Sequence, residues 1–178
     1  MQYDGPKYPK RKGSKPADLG PRPDGSLKGC DFVKPNCFST SVLDEDELAE
    51  LSVGYLIPPF EYTKSQSEAM QDLVSVIKAY IPGQNKIDGG GFKIITQTDN
   101  YLYIQFQSLK YGYIDDVEFS LKDDRVNMRS SSRLGYLDFG VNAKRLNFIS
   151  EKLGLLDGWK TSQITASTHP GYFEKNIR

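Results

Sequence analysis

The chain has little with which to build a metal or nucleophilic centre. Its 178 residues include one histidine, His169, and two cysteines, Cys30 and Cys37. Zinc sites made of Cys and His alone are therefore nearly excluded, and any histidine-based constellation is confined to the neighbourhood of position 169. Charge of one sign is also missing, since 23 Lys and Arg balance 23 Asp and Glu. Such a balance argues against nucleic-acid binding through general basicity and restricts any electrostatic partner to a local patch. No apolar run reaches the roughly 18 residues that span a bilayer, and the opening MQYDGPKYPK lacks the apolar stretch of a secretory leader. A soluble chain, or one already processed, is expected. At 20.0 kDa it has room for one domain with extensions.

Residues 1–28 hold five of the ten prolines and four of the sixteen glycines, with few apolar side chains. That mixture cannot offset its ordering entropy by burial, so the segment is expected to be extended and ordered only against a surface, its own body's or a partner's. Lys7, Lys10, Arg11, Lys12, Lys15, Arg22 and Lys28 against Asp4, Asp18 and Asp24 leave it about +4 and the remainder about −4. The expected division is a tail over 1–28, a folded domain over 29–159 and an irregular C-terminal tail over 160–178.

From residue 65 the local signals sharpen. Ser65-Gln66-Ser67-Glu68 is a capping-box pattern. Ala69, Met70, Leu73, Val74, Ile77 and Tyr80 follow at spacings of three and four, which predicts a helix of about fifteen residues, stopped by Pro82-Gly83. Gly89-Gly90-Gly91 reads as a flexible joint. Four strands follow at about 92–98, 101–108, 113–121 and 125–132, with hairpin-length connections between them. In the second, Tyr101, Tyr103, Gln105 and Gln107 alternate with Leu102, Ile104, Phe106 and Ser108, so one face is core and the other at least partly wet. A second helix fits 143–153, with Asn142 as N-cap and Gly154 as C-terminal cap. The expected fold is α+β: a four-stranded antiparallel meander with two helices packed on one face.

The most unusual stretch is RSSSRLGYLDFGVNAKR, residues 129–145, where charged and small polar residues replace apolar alternation. A turn near Asp123-Asp124 sets Asp115 and Asp116 opposite Arg129 and Ser130 within a residue or two, and Arg133 and Asp138 form a second candidate pair. One reading is an Arg-carboxylate lattice that fixes the strand-to-helix corner, completed by Asn142 and Arg145. The other is an anion pocket in which Arg129, Arg133 and the hydroxyls of Ser130 and Ser132 hold a carboxylate or phosphate near a helix N-terminus. Hydrolysis lacks a base within reach of these serines, so no catalytic residue is assigned, and no metal or cofactor site is expected. Asp44-Glu45-Asp46-Glu47 with Glu50 lacks the spacing of a calcium loop and reads as a solvated acidic face or a partner for the basic tail. Cys30 and Cys37 are either two buried thiols or one small disulfide loop around Asp31 to Asn36; a bond would imply an oxidising compartment.

Pro35-Asn36-Cys37 with Ser39-Thr40-Ser41, then Asp115-Asp116-Val117-Glu118-Phe119, then the string from Arg129 to Asn142 with Arg145 resemble the domain of unknown function (DUF) family 1499. The resemblance spans roughly 34–154, with Phe38 where Val is more usual. That family occurs in bacteria and plastid-bearing eukaryotes and has no agreed enzyme chemistry or cofactor, so the resemblance implies a fold unit and a shared polar corner. Its plastid members imply the thylakoid lumen, with a bacterial periplasm as the alternative. The resulting expectation is a non-enzymatic extrinsic subunit, peripheral to the membrane, docked on a photosystem core or antenna, photosystem II before photosystem I. Lys7, Lys10, Arg11, Lys12 and Lys15 would carry the docking, with no nucleic-acid partner. Two alternatives stand beside it: a small-molecule or lipid-binding module enclosed by the Tyr-rich sheet face and the helices, and a transient assembly factor.

Overall fold

The computed structural model describes residues 9–177. Period-two alternation produces the centre of the sheet. Strands β3 (Gly91–Gln97), β4 (Tyr101–Gln107), β5 (Ile114–Lys122) and β6 (Arg125–Ser132) pair antiparallel in sequence order, each within a residue or so of its expected limits. The β5–β6 turn is the two residues Asp123 and Asp124, both with positive φ, a conformation that Asp tolerates and a tight hairpin requires.

The sheet is larger than the meander. Three short strands, β1 (Cys37–Ser39), β2 (Phe60–Tyr62) and β7 (Trp159–Lys160), raise the total to seven among the described residues. β1 and β2 both pair with β6, and β7 extends the sheet beyond β2. At two or three residues each they are too short for alternation to register in the sequence.

Helix α2 (Gln66–Lys78) starts at the capping box, with the Ser65 hydroxyl accepting from the Glu68 amide and the Glu68 carboxylate accepting from Ser65 N–H. It packs beside α3 (Val141–Gly154) on the face that carries Leu102, Ile104, Phe106, Val117, Phe119, Val126 and Met128. Asn142 is not the N-cap of α3. Gly140 is, in a left-handed conformation, and the Asp138 carboxylate two residues earlier accepts from the backbone N–H of Gly140 and of Asn142, while the Asn142 side chain turns inward. Gly154 closes the helix from inside rather than capping it. Two further helices stand outside the expected pair: α1 (Asp46–Ser52), and α4 (Pro170–Asn176), which replaces part of the expected irregular tail. Only seven residues long, α4 is held by tertiary bonds from Tyr172 and Asn176 rather than by a periodic apolar face. Gly89 and Gly90 are not a joint: a Cβ on either would stand 2.9 Å or less from Leu109 or Ser108, so their role is close approach to the β4–β5 hairpin.

The described part of the N-terminal tail lies on its own body. Residues 9–28 cross the sheet face opposite the helices as a strap, with Arg11 N–H donating to Tyr111 C=O and Gly20 N–H to the Glu118 carboxylate. Lys122 and Asn127 donate from the sheet to the carbonyls of Pro23 and Gly25. Leu27, fully buried against Tyr101 and Tyr103, anchors the strap, and Arg22 pairs with Asp44 at 2.6 Å ahead of acidic α1. The tail's prolines limit its unfolded freedom, and the sheet's polar side chains complete the backbone bonds it lacks. Just beyond it Cys30 and Cys37 are disulfide-bonded, Cα atoms 5.7 Å apart, which ties the strap's exit to β1.

If Leu27 anchors the strap, Leu27→Ala should cost about 2 to 5 kcal/mol in urea denaturation and raise hydrogen exchange at Gly20 and Arg11. Stability and exchange equal to those of the unaltered protein would show that the strap does not dock in solution.

Candidate functional site

The residues from Arg129 to Arg145 do not form one pocket, because alternation along β6 sends neighbours to opposite sides of the sheet. Arg129 and Arg133 face outward beneath the strap, whereas Ser130 and Ser132 face the helices. The reading of these four side chains as an anion pocket is thereby corrected, while Arg133 and Arg145 do pair with carboxylates as in the lattice reading. The two-residue turn also offsets the register by two, placing Asp115 opposite Ser132, Asp116 opposite Ser131 and Glu118 opposite Arg129.

On the outer face, Asp116 receives two bonds from the Arg133 guanidinium, 2.7 and 2.8 Å, and one from the Tyr103 hydroxyl. Arg133 thus pairs with Asp116, its diagonal cross-strand neighbour, rather than with Asp138. It also donates to Gly13 C=O in the strap, over which Lys15 caps the Tyr103 ring at 5.1 Å. Tyr101 donates to Glu118 at 2.7 Å. Arg129 is buried, and burial lowers its guanidinium below the usual range against the pull of Glu118, Asp18 and Asp116. Its Nε and Nη1 have no hydrogen-bond partner among the described residues, nor have Glu118 Oε2 and Ser120 Oγ. This face is a closed polar layer between sheet and strap, not an open pocket.

The helix face carries the second cluster, centred on Arg145. All five of its N–H groups are occupied: Nε and Nη2 bond Asp88, Nη2 also bonds Asp115 at 2.7 Å, and Nη1 bonds Ser130 Oγ and Asn142 Oδ1. The guanidinium lies 4.7 Å from the centre of the Phe106 ring. Burial works to lower its pKa, but Asp88 and Asp115 outweigh it and hold the group above its ordinary range. Tyr80 donates to Asp88 at 2.6 Å, and burial followed by the Asp88 charge pushes its hydroxyl up. Asn142 links this cluster to a third carboxylate, Asp138, which accepts from Asn142 Nδ2 and from the Tyr172 hydroxyl. Asn176 Oδ1 accepts from the N–H groups of Asp138 and Phe139, and its Nδ2 donates to Pro35 C=O.

Beside this cluster the surface opens into a cleft of about 1330 Å³. Its walls come from the segment after α2, the β4–β5 hairpin and the loop between β6 and α3: Ile81, Leu109, Leu134, Tyr136, Leu137 and Phe139. Asp88, Asp115, Ser132 and Asp138 form its floor, and Arg11 and Lys86 stand at its edge. Phe139 is 70% exposed, yet its backbone holds a φ of +55°, a left-handed conformation that a bulky side chain rarely adopts.

Of the tail residues expected to dock a partner, Lys10, Arg11, Lys12 and Lys15 are exposed on the strap, and Lys7 lies outside the described residues. His169 sits ahead of α4, bonded to Leu56 C=O and edge-on to Phe38. Among the described residues no group of three or more His, Cys, Asp or Glu is arranged to hold a metal, and no helix is long and apolar enough to cross a membrane. Sequence reasoning missed Asp88, Tyr172 and Asn176. Asp88 sits in a loop with positive φ, where no periodicity marks it.

The pattern of the family described as "Protein of unknown function (DUF1499)" matches residues 29–153. The chain belongs to this family. No curated protein and no solved structure matches it. The DUF1499 region contains the disulfide, the whole sheet but β7, and Arg145 with its partners. The strap lies outside it, as do Tyr172 and Asn176, which clamp Asp138 from α4.

Two measurements test the cluster. Arg145→Met strands Asp88 and Asp115 without their cation and should cost about 3 to 5 kcal/mol in urea denaturation; a loss under about 1 kcal/mol, the range of an exposed ion pair, would contradict the account. The second concerns pH. Burial pushes the Asp115 carboxyl above the ordinary range, with Arg145 pulling against it. A carboxyl raised on folding favours the folded state fully below its unfolded pKa, and that contribution is lost as pH rises through the folded value. Asp115→Asn lacks this dependence, so its stability relative to the unaltered protein should improve as pH rises from about 4. The opposite slope in denaturation across a pH series would show that Asp115 is not under-compensated.

Proposed function

We propose that the chain is a non-enzymatic binding module that takes an apolar small molecule or lipid into the cleft beside Arg145. The observation that carries this reading is the cleft itself: mostly apolar walls, a few convergent buried polar groups and an acid with a raised pKa on one floor. The site differs in place from the one expected of such a module, since the strap covers the Tyr-rich sheet face. The Ser132 hydroxyl accepts from Asn142 and stands beside the Asp115 carboxylate, and Ser130 donates to Asn142, so both hydroxyls are held within the polar cluster.

Docking on a photosynthetic membrane complex, photosystem II first, is the second reading. What favours it is the set of exposed cations on the strap, Lys10, Arg11, Lys12 and Lys15, of which Lys10 also donates to Leu109 C=O and Lys15 lies over the Tyr103 ring. The Cys30–Cys37 bond fits an oxidising compartment, the thylakoid lumen or a periplasm. Transient assembly work would use the same cations.

Native mass spectrometry of the protein isolated gently from its source tests the first reading. A retained mass is expected, and Leu134→Asp, a change at an exposed wall position, should abolish it while leaving the melting temperature within a few degrees. A bare chain mass, with co-migration of a membrane complex that reversing the four strap cations abolishes, would overturn it in favour of the second.

A further inference from the structure

We infer that the molecule bound in the cleft is an apolar chain ending in a primary ammonium group, with the ammonium held by Asp115. This rests on the cleft being a binding site. The floor holds three carboxylates, Asp88, Asp115 and Asp138, against one guanidinium. Arg145 lies wholly buried with every N–H occupied, so it has no donor left for an anionic ligand. In a partly desolvated floor the excess of negative charge acts more strongly than it would in water, and it disfavours a carboxylate or phosphate there.

The three acids are not equally available. Both oxygens of Asp88 are engaged by Arg145 and Tyr80, and both of Asp138 by Tyr172 and the start of α3. Asp115 bonds Arg145 through Oδ2 and has the neutral Ser132 hydroxyl beside it, and what sets it apart is exposure: its side chain is 12% exposed against 3% for Asp88. It is the acid a ligand can reach. Its ionised form is the one that burial penalises and that Arg145 only partly offsets, which is the deficit an ammonium would make good. Arg11 and Lys86, the cations on the lining, are exposed at the edge, where solvent and salt screen them.

The walls fix the rest of the molecule. Leu109, Leu134, Leu137 and Phe139 offer no hydrogen-bonding side chain and outnumber the Tyr113 and Tyr136 hydroxyls on the same walls, so the part of the ligand above the floor is mainly hydrocarbon. Phe139 is exposed and held in a left-handed backbone by the bonds its own N–H and that of Asp138 make to Asn176. A side chain kept outward at the cost of backbone strain, at the mouth of an apolar cleft, is positioned to close over a chain lying there.

Calorimetric titration of the full chain with octylamine, octanol and octanoate at neutral pH separates head group from chain. Octylamine should bind on the order of tenfold tighter than octanol, and octanoate weakest. Asp115→Asn, checked for folding by circular dichroism, should abolish the preference for the amine while leaving octanol within about twofold. Octanoate binding as well as the amine, or an amine preference that survives in D115N, overturns the inference yet leaves the cleft a binding site. If none of the three probes binds, the reading of the cleft falls with it. The ranking on the unaltered protein needs no variant, so a misfolded D115N does not decide the matter.

Discussion

A single buried cation sets the geometry of one whole end of this molecule. Removing a guanidinium from water costs several kcal/mol, and the cost is offset only when every donor finds a partner and the charge a counter-charge. Arg145 meets both conditions by drawing on four places in the chain: the loop before β3 through Asp88, β5 through Asp115, β6 through Ser130 and its own helix through Asn142. Those four segments are thereby fixed to one another. The cleft is the space left where their connecting loops cannot also close over the polar group.

Two acids for one guanidinium, with Asp138 behind them, leave the cluster short of positive charge. The chain answers part of that shortage locally, by Tyr80 and Tyr172 donating to Asp88 and Asp138 and by the N-terminus of α3 donating to Asp138. Asp115 has the Ser132 hydroxyl beside it but no tyrosine or helix N-terminus, and its side chain is more exposed than that of Asp88. The outer face solves the same problem differently. There the strap covers Asp116, Glu118, Arg129 and Arg133, and its backbone groups serve as partners for charges that the sheet alone would leave in contact with solvent.

Much of this was legible in the residues. Alternation through Tyr101–Ser108 and the capping box at Ser65 specify strand and helix by local chemistry, and both stand where expected. The Arg129–Arg145 string marked a polar corner, but reading it as one pocket ignored the alternation that separates Arg129 and Arg133 from Ser130 and Ser132. Partners of Arg133 and Arg145 were not legible, because a diagonal neighbour on β5 and a loop acid fifty-seven positions away are chosen by tertiary register. Short strands such as β7, and α4 with its hold on Asp138, leave no periodic trace, since each is stabilised by what it touches rather than by its own sequence.

The proposed binding site is the open cleft and not the strap-covered face. Hydrogen–deuterium exchange before and after addition of a lipid extract from the native source tests it most directly, because it reports protection segment by segment. The account predicts slowed exchange confined to three stretches, 81–89, 108–115 and 132–141, with the strap beyond the cleft's edge, over 13–28, unchanged. Protection over the strap and the outer strand face, with the cleft segments unchanged, would contradict it.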